Sequence, residues 1–409
     1  MRVVCHSQHL TGIGHHVRMH CLASGLARAH EVHLVDGGRP VPRPHLAAEP
    51  QRLRLPTLAR TATGELVGGD GGPAAPVVLR RAQVLADAID AIRPDVLLVD
   101  HYPFSKWELT TEIDAAIAAT RAANRSARVV CSLRDIAPQT RHEHLVAERY
   151  VREVARRLDD GFDALLVHAD PRWSDLARDA PAAIGVTVPV RATGYVVEPP
   201  VATPVAVSVA AWPSAPFAVA SAGGLDATEF LLAVIAAHAA LVDAPPDALP
   251  DVPGTIHVFA PAGASAPELD RLRAAAARHG ARAEVYAFSP GFGAWLDAAA
   301  LSVSRAGYNT CAALLRAPGA AVLVPDPRLS DQIPRARVLA DAGFAVTVEA
   351  PGAAPPTSEL TAAMAAALAR PGSRSEVATE GVAVTVDLLE RLVAGEDPWG
   401  PEWMPEGNG

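Results

Sequence analysis

Lysine is almost absent: Lys106 is the one lysine in 409 residues, and the other 35 basic residues are arginines. Mechanisms that need several lysines are excluded, and a diphosphate would have to be held by arginine, backbone amides and hydroxyl groups. Cysteine is scarce as well. Cys5, Cys21, Cys131 and Cys311 form no C-x-x-C pair, which fits neither a disulfide framework nor a zinc site and suits a reducing cytoplasm. Long apolar runs are missing: the richest stretch, Pro204 to Ala222, is broken by Pro213 and Pro216 and falls short of the roughly 18–20 apolar residues of a membrane span. The N-terminus turns polar after Val3-Val4-Cys5, so no signal peptide is expected, and the chain reads as soluble or at most peripheral to a membrane. There is no D-x-D, no P-loop, no G-x-S-x-G, no kinase motif set and no H-x-x-x-H pair flanked by a third ligand. Hydrolase, kinase and dehydrogenase readings lose support together, and no bound metal or cofactor is expected.

The remaining composition is that of a globular protein, 50% hydrophobic and 20% charged, and 409 residues allow two or three domains. A net charge of −9 argues against a general nucleic-acid partner, whose phosphates demand an excess of basic residues.

Short apolar runs alternate with longer helical patterns, the signature of parallel α/β layers. In the first half, strands are expected at Val3–Ser7, Glu31–Val35, Asp95–Asp100, Arg128–Leu133 and Ala164–His168. Helices are expected at His15–Arg28, Val77–Ile92, Trp107–Ala122 and His142–Leu158. The span from Gly37 to Pro76 is rich in proline and glycine and reads as a long irregular excursion. Prolines 199, 200, 204, 213 and 216 mark an extended connector. A second series follows, with strands at Phe217–Ser221, Thr255–Phe259, Ala283–Phe288, Leu301–Ser304, Ala320–Val324 and Ala345–Val348. Its helices are Ala227–Leu241, Pro267–His279, Thr310–Leu315 and Gln332–Ala342. The expected organisation is a Rossmann-like domain over 1–198, a linker over 199–216, a second Rossmann-like domain over 217–375, a C-terminal helix over 376–395 and a loosely ordered tail over 396–409. Two such doubly wound domains imply a cleft walled by strand C-terminal ends and helix N-termini.

Several strand ends carry residues suited to chemistry. Gly12-Ile13-Gly14-His15 makes a strand-to-helix turn that lets a ligand approach the backbone, with His15 placed as a general base; an isolated turn of this kind equally suits a capped helix start. The dinucleotide fingerprint is incomplete, since Val17 stands where its third glycine would be. Asp100-His101, Arg134-Asp135 and His168-Ala169-Asp170 end three neighbouring strands, delivering acids, imidazoles and arginine to one sheet edge; each residue alone equally suits a helix cap or surface ion pair. In the second half, Ser221-Ala222-Gly223-Gly224 and Arg305-Ala306-Gly307-Tyr308-Asn309-Thr310 are turns able to cradle a phosphate without a metal, or ordinary capping turns. Asp331-Gln332 can hydrogen-bond sugar hydroxyls or simply start a helix.

In order along residues 12 to 336, Gly12-Ile13-Gly14-His15-His16-Val17-Arg18, Asp100-His101-Tyr102-Pro103-Phe104, Cys131-Ser132-Leu133-Arg134-Asp135-Ile136, Leu166-Val167-His168-Ala169-Asp170-Pro171-Arg172, Thr193-Gly194-Tyr195-Val196, Gly307-Tyr308-Asn309-Thr310 and Asp331-Gln332-Ile333-Pro334-Arg335-Ala336 resemble the glycosyltransferases related to MurG. The resemblance implies the two-domain GT-B fold and transfer of a sugar from a nucleotide-diphosphate donor to an acceptor hydroxyl, inverting and metal-independent. It implies a base at His15, with Asp100 or Asp135 in reserve. It places the acceptor, a small molecule or a lipid-linked one, beside Gly12, Gly14, His16, Arg18, His101 and Arg134. The donor falls to Gly223, Gly224, Phe288, Ser289, Arg305, Gly307, Tyr308, Asn309, Thr310, Asp331 and Gln332. Where relatives carry a ribose-binding glutamate, this chain has Ala313, which leaves the donor nucleotide open. A nucleotide-sugar hydrolase or epimerase of the same fold, or a non-catalytic sugar-nucleotide-binding protein, are the alternatives.

Overall fold

The computed structural model describes residues 1–398 except 11, 41–45, 47, 62, 138–143, 200–212, 214–215, 224–227, 246–250, 290, 351, 353 and 371–374; side chains at 144–147, 177 and 281 are also outside the description. Of the expected linker, only residues 199, 213 and 216 are described, and the tail is described to residue 398. The described chain forms two units, one of residues 1–40, 46–197 and 378–409, the other chiefly of residues 198–377.

In the first unit, β1 (Arg2–Ser7), β2 (Glu31–Asp36), β3 (Gln51–Arg54), β6 (Val96–Asp100), β7 (Arg128–Arg134), β8 (Ala164–His168) and β9 (Val190–Ala192) form one sheet, ordered β3-β2-β1-β6-β7-β8-β9. Every pairing is parallel. Both β6 (VLLVD) and β8 (ALLVH) are buried along their whole length, as expected of strands covered on both faces. The crossovers are α1 (Gly14–Leu26), α2 (Ala74–Ile92), α3 (Thr110–Ala123) and α4 (His144–Gly161), followed by the short α5 (Leu176–Asp179). On one face Leu97, Val99, Val129, Leu133 and Leu165 pack against Leu85 and Ile89 of α2, Ile113 of α3 and Leu158 of α4. Helix α2 stops where Arg93 turns left-handed (φ 51°) ahead of Pro94.

The Gly37–Pro76 excursion is more regular than its composition suggests. It contains β3 and an antiparallel hairpin of β4 (Leu58–Arg60) and β5 (Leu66–Gly68), because Leu55 and Leu58 bury themselves in the core and anchor strands that dense proline and glycine disguise.

The second unit contains β10 (Ala218–Ser221), β11 (Ile256–Phe259), β12 (Ala283–Tyr286), β13 (Leu301–Ser304), β14 (Ala320–Leu323) and β15 (Val346–Thr347), all parallel and ordered β12-β11-β10-β13-β14-β15. Its helices are α6 (Thr228–Val242), α7 (Ala266–Arg278), α8 (Phe292–Ala298), α9 (Tyr308–Leu314), α10 (Gln332–Asp341) and α11 (Thr357–Leu368). Helix α7 opens on a capping box in which Ser265 and Glu268 satisfy each other's backbone amides. The helices expected from the sequence do not include α8 and α11.

The last helix, α12 (Gly381–Val393), belongs to the first unit and is not a separate appendage. The chain returns there through backbone bonds from Tyr195 N to Ala378 O (2.8 Å) and from Gly381 N to Tyr195 O (3.1 Å). Gly381 lies so close that a Cβ would come within 2.5 Å of the Gly194 carbonyl oxygen. Helix α12 packs on α1, and Glu390 meets His30 Nε2 at 2.7 Å.

Candidate active site

Both sheets reverse their strand order beside their first strand, and open α/β sheets bind ligands at the strand C-termini of such a switch point. In the first unit this is the crevice between β1 and β6; in the second it lies between β10 and β13.

His15 leaves β1 through the Gly12–Gly14 turn, and Asp100 ends β6, so the two straddle the first switch point. His15 Nδ1 lies 2.8 Å from Asp100 Oδ2. Arg18, fully buried one helical turn further along α1, grips the other oxygen, Nη2 to Oδ1, at 2.5 Å. The same guanidinium donates to Ser132 Oγ and O, both at 3.1 Å. From there the bonds continue to the edge of the sheet: Ser132 Oγ to His168 Nε2 (2.8 Å), His168 Nδ1 to Thr193 Oγ1 (2.7 Å) and Thr193 Oγ1 to the Gly194 carbonyl (3.0 Å).

This chain of bonds fixes where the protons sit. A carbonyl only accepts, so Thr193 donates to Gly194 and accepts from His168 Nδ1–H; His168 Nε2 then accepts from the Ser132 hydroxyl. At the other end Asp100 is ionised: burial pushes its carboxyl up, but His15, Lys106 and Arg18 hold it well below the usual range. Burial, with the charges of Arg134 and Lys106, pushes His15 down to about 3 against the pull of Asp100, so it is neutral near pH 7. A neutral His15 donating Nδ1–H to Asp100 carries its lone pair on Nε2, and its side chain remains 24% exposed. The arrangement is a base with an oriented tautomer and a supported carboxylate behind it. Lys106 lies 3.6 Å from Asp100 Oδ2 and donates to the Gln8 carbonyl; burial lowers its pKa. His101 (φ 64°) stands edge-on to the His15 ring, centroids 4.8 Å apart, and accepts the Arg134 N–H at 3.3 Å.

The second switch point is built mostly from backbone. Gly223 follows β10 with φ 75°, and Gly307 follows β13 and caps α9; a Cβ on either would meet nothing within 4 Å. Behind the Gly307 turn, Gln332 Oε1 accepts the amides of Ala306 (3.1 Å) and Asp326 (2.9 Å). Arg335 braces the turn from below, Nη1 to Ala306 O at 2.9 Å, and pairs with Asp331 at 2.8 Å. Asn309 and Thr310 are half-buried at the start of α9.

Residues 237–380 match the model of the glycosyltransferase family 28 C-terminal domain, a span that contains β11 to β15 and the Gly307 turn. No curated protein matches the sequence. Among solved structures, the fold is similar to MurG of Acinetobacter baumannii (15% identity, 96% of this chain and 100% of that one, TM-score 0.51). It is also similar to the spinosyn rhamnosyltransferase SpnG complexed with thymidine diphosphate (20%, 96% of both chains, 0.53) and to TcCGT1 in complex with UDP (11%, 96% and 94%, 0.61).

The chain has the GT-B fold and contains a glycosyltransferase family 28 C-terminal domain.

Within this fold the structure sorts the residues singled out by sequence. His15 and Asp100 come together, and so do Gly307, Tyr308, Asn309, Thr310, Asp331 and Gln332. Asp135 does not join His15; its Oδ1 accepts the Ile136 N–H at 2.8 Å. Arg18 is no acceptor contact, since its guanidinium is buried and committed to Asp100 and Ser132. His16 is fully buried and turns toward His9. Arg305 is 5% exposed, lies 4.3 Å over the Phe230 ring and donates to the carbonyls of Val324 and Pro325, so it braces β14 from inside the unit. Asp331 is taken up by Arg335. Phe288 and Ser289 follow β12, two strands away from β10, and Gly224 lies outside the described residues. Ala313 is buried on α9. Sequence reasoning missed the supporting roles of Ser132, His168 and Thr193, and of Lys106, whose signal was its uniqueness.

Proposed function

We propose that this transferase moves a sugar from a nucleotide-diphosphate donor to an acceptor hydroxyl with inversion, the transfer step using no metal and no cofactor. The observation that carries the reading is the 2.8 Å contact of His15 Nδ1 with Asp100, inside a network that leaves Nε2 as the bare base. His15 Nε2 takes the acceptor O–H proton, the freed oxygen forms its bond to the anomeric carbon, and the bond from that carbon to the diphosphate breaks with its electron pair on the leaving oxygen. Asp100 stabilises the imidazolium that results, and Arg18 and Ser132 hold Asp100 in place.

The donor diphosphate falls to the backbone of the Gly307 turn with Asn309 and Thr310, and the Nε2 of Gln332, whose Oε1 is taken by the amides of Ala306 and Asp326, to the donor sugar. Amides at a helix start supply positive potential that a net charge of −9 does not count. The similar structure of SpnG is complexed with thymidine diphosphate and that of TcCGT1 with UDP, which supports a nucleoside diphosphate leaving group here. The acceptor falls to Gly12, Gly14, His101 and Arg134, and a cytoplasmic setting accords with the burial of the four cysteines and with the absence of a membrane-spanning helix among the described residues.

The same dyad can deprotonate water, so hydrolysis of the donor is the second reading. Incubation with a panel of nucleotide sugars, with and without acceptors and chelator, tests both. Acceptor-dependent transfer that survives chelator supports the proposal; release of sugar at the same rate with no acceptor makes the protein a hydrolase.

A further inference from the structure

Beside the active-site turn lies a second group of polar side chains that the transfer step does not use. His9 follows β1, His16 sits in the first turn of α1 and Asp36 is the last residue of β2; all three are buried. One potential ligand atom from each lies within 4.8 Å of the others. The rings of His9 and His16 are 5.2 Å apart between centroids.

His9 shows the tautomer a metal ligand needs. Its Nε2 lies 2.8 Å from the carbonyl oxygen of Arg39, an atom that can only accept, so the proton is on Nε2 and the lone pair on Nδ1. That Nδ1 is buried and makes no hydrogen bond. An imidazole whose far N–H is tied to a carbonyl is the outer-shell arrangement that orients metal-bound histidine. The His9 ring lies flush on Gly38, where a Cβ would come within 2.4 Å of it. Asp36 is held as a ligating carboxylate commonly is, Oδ1 accepting the Gly38 N–H at 3.3 Å and Oδ2 meeting Arg54 Nη1 at 2.9 Å. The Arg54 charge opposes a cation, but its side chain is 40% exposed and screened by water.

We propose that His9, His16 and Asp36 form a site for one divalent transition-metal ion of the zinc type. Two imidazoles and one carboxylate suit zinc or cobalt and are too rich in nitrogen for calcium or magnesium. Adjacent ligands of a tetrahedral ion are about 3.3 Å apart at bond lengths of roughly 2.0–2.1 Å, so binding draws the three side chains inward by rotation. His9 and His16 flank the Gly12–Gly14 turn, and an ion held between them and β2 pins both ends of the segment that presents His15. Its role is to position that turn, outside the transfer step itself. Local spacing conceals the site: His16 and His20 do form an H-x-x-x-H pair, but the further ligands come from His9, before the turn, and from the end of β2.

The test is titration of the chelator-stripped full-length protein with Co²⁺, followed by visible absorption and calorimetry, readouts that need neither donor nor acceptor. The expected result is saturation at one ion per chain, with the absorption of a four-coordinate site completed by water. His9→Ala and Asp36→Asn, each checked for folding by circular dichroism, should weaken binding by at least about 100-fold, while His20→Ala should leave the stoichiometry at one. Absence of saturable binding to the wild-type protein, or binding unchanged in both ligand variants, would overturn the proposal. Failure of sugar transfer would not, because the titration does not depend on it.

Discussion

At the switch point of the first sheet, between β1 and β6, the chain places His15, Asp100, Arg18 and Lys106 in one connected, largely buried network; at the same topological point of the second, between β10 and β13, it places glycines and peptide groups. The strand order there is the same in both sheets, so topology does not set the difference. Moving a proton needs a side chain whose tautomer is fixed, and that needs a carboxylate with its own supports. Holding a diphosphate needs only amides aimed at open space, which on the proposed reading lets a chain with a single lysine bind a doubly charged group.

Removing the base should break the comparison hardest. His15→Ala should lower kcat by roughly 10²–10⁴-fold, the usual contribution of general base catalysis, with little change in thermal stability because the ring is partly exposed. Asp100→Asn, which removes the carboxylate that fixes the tautomer, should approach the same loss. Arg18→Ala should act on stability as well: it leaves Asp100 buried without its guanidinium, at a cost of about 3–5 kcal/mol in denaturant unfolding.

A smaller effect is expected on the other side. Gly307→Val should fold normally, since Gly307 has an ordinary φ of −70° and open space around its Cβ. Its methyl groups would stand in the proposed diphosphate site. Nucleotide affinity should fall about 10–100-fold, roughly 1.4–2.8 kcal/mol, with the melting temperature unchanged.

The smallest effect concerns acid–base balance. Burial raises the Glu198 carboxyl to about 7 despite Arg316 nearby. A raised acid favours the protonated folded state, so ionisation costs stability as pH rises from the unfolded value of 4.5 through 7. Glu198→Gln should therefore gain on the order of 1 kcal/mol at pH 8 and almost nothing at pH 4, as read from urea unfolding. Glu112 in the first unit has the opposite sign. Burial opposes its charge, but His6 and Arg81 hold it down to about 2. Its contribution is complete above pH 4.5 and is lost as pH falls toward 2, so Glu112→Gln should flatten the acid limb of the stability profile.

Much of this was readable from the residues in order. Asp100 stands at the end of β6 and His15 at the start of the helix that follows β1, and the period of the apolar runs located those strands to within a residue or two. Their partnership was less visible, because it depends on β6 lying beside β1, a neighbour relation separated by 85 residues between the two side chains. Arg18 was misassigned for a related reason: its place on α1 is one turn from His15, but only the packed sheet shows that it points inward to Asp100 and not toward a substrate. The relay through Ser132, His168 and Thr193 runs across three adjacent strands and leaves no local pattern. Arg305 was read as a ligand contact because it precedes a glycine turn, and the Phe230 ring and two carbonyls that claim it come from distant segments.

The central claim is the division of labour between the two switch points, and nucleotide binding measured by calorimetry on three proteins tests it most directly. The account predicts that His15→Ala binds the donor nucleotide as the wild-type protein does while failing to turn it over, and that Gly307→Val loses that binding while keeping its fold. Loss of nucleotide binding in His15→Ala, or undiminished binding in Gly307→Val, would contradict it.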